Sequence, residues 1–164
     1  MHLLLATDAD WIVDEVTGAI GDDGDTFTVC REGRVVVDQV REREPDLAIL
    51  DLQIGSMGGM AVTMDLRLDE SAGSLPHVPV LMLLDRKADL HLARRSGAEG
   101  WMIKPLSSLR LRRAVDVILS GGEYTEGLDP EALPADADRT QNAYARDYYF
   151  RWGFHLGCGG EAKA

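Results

Sequence analysis

Cysteine is scarce: Cys30 and Cys158 are the only two in 164 residues, too far apart for a disulfide framework and without the paired spacing of a zinc site. They read as ordinary thiols. Long apolar runs are missing too. The longest, Val78 to Leu84, falls far short of the roughly 20 residues that cross a bilayer, and the chain reaches Thr7-Asp8 before any signal-like core develops. A cytoplasmic location is expected, with no membrane partner. Basic residues are few, 17 Lys and Arg against 28 Asp and Glu for a formal charge of -11. That balance excludes a nucleic-acid binder, which needs clustered cations for phosphate contacts. No glycine-rich phosphate loop follows the first apolar run, where ATDAD stands, which argues against a nucleotide binder. His2, His77, His91 and His155 are scattered, without acid–base or ligand spacing.

What is present is a 45% hydrophobic chain, enough for one real core. HLLLA at residues 2 to 6 is continuously apolar, as a strand buried on both faces should be. Asp10 is the expected N-cap of a helix over about 11–20, with Ile12, Val16, Ala19 and Ile20 at helical spacing. A short strand through Phe27 and Val29 follows, then a helix carrying Val36, Val37 and Val40 that must end before Pro45. Leu47 to Asp51 reads as the third strand, and a helix runs from Met60 to Leu68. Val78 to Leu84 is the fourth strand, Lys87 to Arg95 a helix stopped by Gly97, Gly100 to Ile103 the fifth strand, and Leu109 to Leu119 the last helix. Alternation of strand and helix implies an α/β architecture: a doubly wound five-stranded parallel sheet with helices on both faces.

The composition divides the chain into a domain over 1–120, an acidic linker over 121–138 and an aromatic-rich tail over 139–164, in which Tyr144 and Tyr148 lie one turn apart as in a docking helix. Residues 86–120 are the one basic zone, with 8 bases and 3 acids. Arg86, Lys87, Arg94, Arg95, Arg110, Arg112 and Arg113 are expected to form a face for an acidic partner or a second copy, with the linker as the nearest acidic segment.

Three strand ends point to one sheet edge: Thr7-Asp8, Asp51 and Lys104-Pro105, with Leu84-Asp85 marking a fourth. Two carboxylates brought close need a cation between them, and oxygen-only ligands suit Mg²⁺. An Asp carboxylate can accept a phosphoryl group while metal and ammonium neutralise its charge. LLLATD, LAILDLQIGSMGG, VPVLMLL and GAEGWMIKP, in that order and at those intervals, make residues 2 to about 119 resemble a receiver domain of two-component response regulators. The resemblance implies a flavodoxin-like fold with strand order 2-1-3-4-5, Asp51 as phosphoacceptor and Lys104 as the phosphoryl contact. It also implies a Mg²⁺ site from Asp8, Asp51 and the Gln53 carbonyl, a cis Lys104-Pro105 peptide, and a sensor histidine kinase or phosphotransfer protein as donor.

The departures from that pattern are specific. Thr7 replaces the first acid of the usual pair, so a weakened Mg²⁺ site is expected. Leu84 stands where a Ser or Thr hydroxyl would bond the phosphoryl oxygen, Asp85 adds bulk and negative charge beside it, and Trp101 takes the place of the mobile aromatic. The chain therefore reads as a stand-alone, atypical receiver acting by protein–protein contact, with no enzymatic activity beyond self-phosphorylation and dephosphorylation at Asp51. A phosphorylation-independent pseudo-receiver, serving as adaptor or dimerisation module, is the alternative. A small flavodoxin-like enzyme or nucleotide binder is the third reading.

Overall fold

Side chains alternate across a strand, so an all-apolar strand must be covered on both faces. Leu3 and Leu5 point to one side of β1 (His2–Ala6), Leu4 and Ala6 to the other, and all four are fully buried. The computed structural model describes residues 1–127, which form one compact unit. In chain order its elements are β1, α1 (Asp10–Ile20), β2 (Thr26–Cys30), α2 (Val36–Glu42), β3 (Leu47–Asp51), α3 (Gly59–Ser71), β4 (Val80–Leu84), α4 (Leu90–Ser96), β5 (Gly100–Ile103), α5 (Ser108–Leu119) and β6 (Tyr124–Thr125). The strands form one parallel sheet in the order β2-β1-β3-β4-β5-β6.

One face of the sheet (Leu3, Leu5, Leu47, Ile49, Leu81, Leu83, Met102) packs against Ile12 and Val16 of α1 and Leu111, Val115 and Ile118 of α5. The opposite face (Leu4, Ala6, Ala48, Leu50, Val80) packs against Val36 and Val40 of α2 and Val62 and Leu66 of α3. Each fully buried Leu contributes about 1.5–3 kcal/mol. The strand order brings the carboxyl ends of β1, β3, β4 and β5 side by side, which positions the site.

Three local readings change. Asp10 is the first helical residue rather than the cap; Ala9 holds the extended capping position, and no side chain caps the helix. The helix expected from Lys87 begins as a 3-10 turn, Lys87–Asp89, before α4. The chain from 121, expected as linker, first returns to the sheet: Tyr124 and Thr125 pair with Gly100 and Trp101. Gly100 permits this approach, since a Cβ there would lie 2.7 Å from the Tyr124 carbonyl oxygen. The rest of the 121–138 segment, the 139–164 tail with its docking helix, and Cys158 lie outside the described residues. Among those described, no helix is long and apolar enough to cross a membrane, and Cys30 is a buried free thiol whose pKa burial pushes up.

Candidate functional site

β3 delivers Asp51 to the carboxyl edge of the sheet, 3% exposed, and the backbone then turns away through Leu52 to Gly58 before α3. Gly59 opens α3 against the Asp51 carbonyl, where a Cβ would come within 2.7 Å. A buried carboxylate must find partners, and Asp51 has three. Lys104 Nζ donates to Oδ1 at 2.9 Å, the Gln53 backbone N–H donates to the same oxygen at 3.2 Å, and Thr7 Oγ1 donates to Oδ2 at 3.1 Å. Thr7 is itself fully buried, and its oxygen accepts the Ala9 N–H at 3.2 Å.

Lys104 is held in turn. Its ammonium also donates to Asp85 Oδ1 at 3.1 Å and stands 5.9 Å from the centre of the Trp11 ring, within cation–π range. The lysine side chain is 11% exposed and that of Asp85 40% exposed. One cation therefore serves two carboxylates, one buried and one facing solvent. The Lys104-Pro105 peptide is cis, and the Lys104 N–H bonds the Leu84 carbonyl at 2.8 Å.

The sequence-derived site residues thus converge in part. Asp51, Lys104, Asp85 and Gln53 meet directly. Leu84 is fully buried in the sheet and offers the site only its backbone. Trp101 is 6% exposed and pinned inward, its indole N–H donating to the Glu126 carbonyl at 3.0 Å. Asp8 is exposed, with Oδ2 3.7 Å from where a Cβ on Gly55 would lie, so it sits over the loop that carries Gln53. Among the described residues no three His, Cys, Asp or Glu side chains gather as a metal cluster. Asp8, Asp51 and the Gln53 carbonyl offer a thin, all-oxygen set, of a chemistry that fits a largely hydrated Mg²⁺ rather than a tightly caged ion.

Thr7 stands where the sequence pattern lacks an acid, and the structure gives it a task, as donor to the Asp51 carboxylate. It missed Trp11, whose 50% exposure beside the site had no periodic signal. Part of the basic face is tied to local partners. Arg86 pairs with Asp89, Arg110 with Glu126, and Arg112 donates to the Ala19 carbonyl. Arg86 and Arg112 nonetheless stay exposed, as do Lys87, Arg94, Arg95 and Arg113, and only Arg110 is drawn partly inward.

A parallel sheet thus carries a buried carboxylate and a lysine together on its carboxyl edge. The chain belongs to the response regulator receiver domain family, matching it over residues 3–116, and so to two-component signalling. It is 30% identical over 134 residues to the transcriptional regulatory protein CseB of Streptomyces coelicolor, covering 77% of this chain and 55% of that one. With the polar-differentiation response regulator DivK of Brucella ovis it shares 35% identity over 79 residues, 47% of this chain and 62% of that one. The chain thus spans roughly half to three-fifths of the length of these curated relatives. Among solved structures, a response regulator of Chloroflexus aurantiacus superposes with a TM-score of 0.65 at 21% identity, over 73% of this chain and 97% of that one. The receiver domain of a signal transduction histidine kinase from Syntrophus aciditrophicus gives 0.64 at 25%, over 78% and 96%.

Proposed function

We propose that Asp51 accepts a phosphoryl group and that the domain signals by contact with other proteins. The observation that carries this is the Lys104 ammonium 2.9 Å from a carboxylate held at the sheet edge. In the transfer, an Asp51 carboxylate oxygen forms the new bond to phosphorus while the bond from phosphorus to the donor breaks, and its electron pair leaves with the donor group. Lys104 meets the charge that arrives, the Gln53 N–H orients the carboxylate, and Thr7 steadies the second oxygen. Mg²⁺, when bound by Asp8, Asp51 and the Gln53 carbonyl, supplies charge neutralisation at the transferring group. A sensor histidine kinase or phosphotransfer protein is the donor, and the exposed part of the 86–120 face serves a protein partner or a second copy.

Two features make the domain atypical. With Leu84 buried and apolar, the end of β4 has no hydroxyl to draw toward a phosphoryl oxygen; a hydrogen bond to a charged group of that kind is worth about 1.5–3 kcal/mol. Asp85 already occupies part of the lysine's bonding capacity. These same features favour the second reading, a phosphorylation-independent pseudo-receiver acting as adaptor. Incubation with a small-molecule phosphodonor and Mg²⁺ separates the two. An acid-stable, base-labile acyl phosphate that is lost in Asp51→Asn supports the acceptor, and its absence from the native chain leaves the adaptor.

A further inference from the structure

Lys104 is held through the peptide groups on both sides of it. The Ile103 N–H donates to Glu126 Oε2 at 3.0 Å, Arg110 Nη2 donates to the Ile103 carbonyl at 3.0 Å, and Arg110 Nη1 donates to the Pro105 carbonyl at 3.1 Å. Glu126 and Arg110 are joined to one another, Nε to Oε1 at 2.8 Å with a second contact between Nη2 and Oε2. Tyr124 donates its hydroxyl to Glu126 Oε1 at 2.8 Å, and Trp101 donates its indole N–H to the Glu126 carbonyl. The Glu126 side chain is 15% exposed. Burial alone would push its carboxyl up, yet the Arg110, Ile103 and Tyr124 hydrogen bonds outweigh burial and hold it below the usual range.

A surface ion pair would do nothing of this kind; it floats, and contributes little. Here a bidentate guanidinium–carboxylate pair spends its remaining donors and acceptors on the backbone either side of one functional lysine. Because the ammonium sits at the end of a flexible four-carbon stem, its placement on Asp51 depends on where that backbone is fixed. We propose that Glu126 and Arg110 are positioning residues for Lys104, so that the chain just beyond α5 sets how the ammonium rests against Asp51. Displacing residues 124–127 would then loosen the lysine at a site those residues do not touch. The proposal concerns the Lys104–Asp51 contact itself, and its consequence for phosphoryl transfer rests on the reading of Asp51 as acceptor.

The chain has three lysines, Lys87, Lys104 and Lys163, so the Lys104 ammonium can be followed by NMR in the full-length protein labelled with ¹⁵N-lysine and assigned with Lys104→Arg. The expected result is a shifted or lost Lys104 ammonium signal in both Glu126→Ala and Arg110→Ala. Tyr124→Phe, which removes one bond to Glu126 but leaves the carboxylate on Arg110 and Ile103, should keep it. An unchanged Lys104 signal in Glu126→Ala, with the Trp101 indole signal moved, would overturn the proposal: the cluster would then anchor only Trp101 and the sheet edge. If Glu126→Ala does not fold, Arg110→Ala decides by the same criterion. The readout needs no phosphoryl transfer. Failure of the native chain to form an acyl phosphate would therefore count against the acceptor reading and leave the clamp to be judged by the lysine signal.

Discussion

A second carboxylate beside Asp51 would have to be neutralised; the Thr7 hydroxyl instead donates a hydrogen bond and leaves one ammonium to balance one buried charge. Thr7→Asp should therefore cost roughly 1–3 kcal/mol without metal, through the lost hydrogen bond and like-charge repulsion. The same change should make stability depend on Mg²⁺, since whatever binds the folded state alone stabilises it. Thermal melts with and without Mg²⁺ check this: the variant's gain on adding metal should exceed that of the native chain. Asp85 acts on the other side of the lysine. Its side chain is 40% exposed, so its hold on Lys104 is worth only about 0.2–1 kcal/mol. Asp85→Ala should accordingly speed acyl-phosphate formation by about 1.4- to five-fold in single-turnover assays. A slower variant would mean that Asp85 assists the transfer.

The strands with continuous apolar runs, β1, β3 and β4, could be read from sequence because burial on both faces leaves no other pattern, and their polar ends placed Asp8, Asp51 and Asp85 on one edge. β6 could not. Two residues carry no periodicity, and Tyr124-Thr125 lies in a stretch whose acidic composition looks like a solvated linker; only the pairing with Gly100 and Trp101 of β5 makes it a strand. Glu126 was lost with it, because a carboxylate that bonds Arg110, Ile103 and Tyr124 is indistinguishable in sequence from one facing water. The close packing at Gly100 supplies a test. In Gly100→Ala the new Cβ meets the Tyr124 carbonyl at 2.7 Å and Ile118 Cδ1 at 2.8 Å, which should destabilise the domain by roughly 1–3 kcal/mol in denaturant titrations. An unaffected midpoint would show that β6 adapts freely.

Over the whole molecule, excess negative charge sets the electrostatic background while a few internal pairs set the pH response. Despite burial, Glu126 has a folded-state pKa below the ordinary carboxyl value, held there by the hydrogen bonds from Arg110, Ile103 and Tyr124. Its contribution to stability is thus fully present above that value and is lost as pH falls through the lower, folded-state one. The stability gap between the native chain and Glu126→Gln should be widest above about pH 4.3 and close in more acidic solution, as denaturant curves across that range would show. At this scale Asp51 remains the centre: the sheet order sets it at the carboxyl edge, against Lys104. The most direct measurement is to treat the native protein with a small phosphodonor and Mg²⁺, reduce any acyl phosphate with borohydride, and locate the product by peptide mass spectrometry. Homoserine at position 51 is the predicted result. Unmodified aspartate there under saturating donor and metal, or homoserine at another acid, would contradict it.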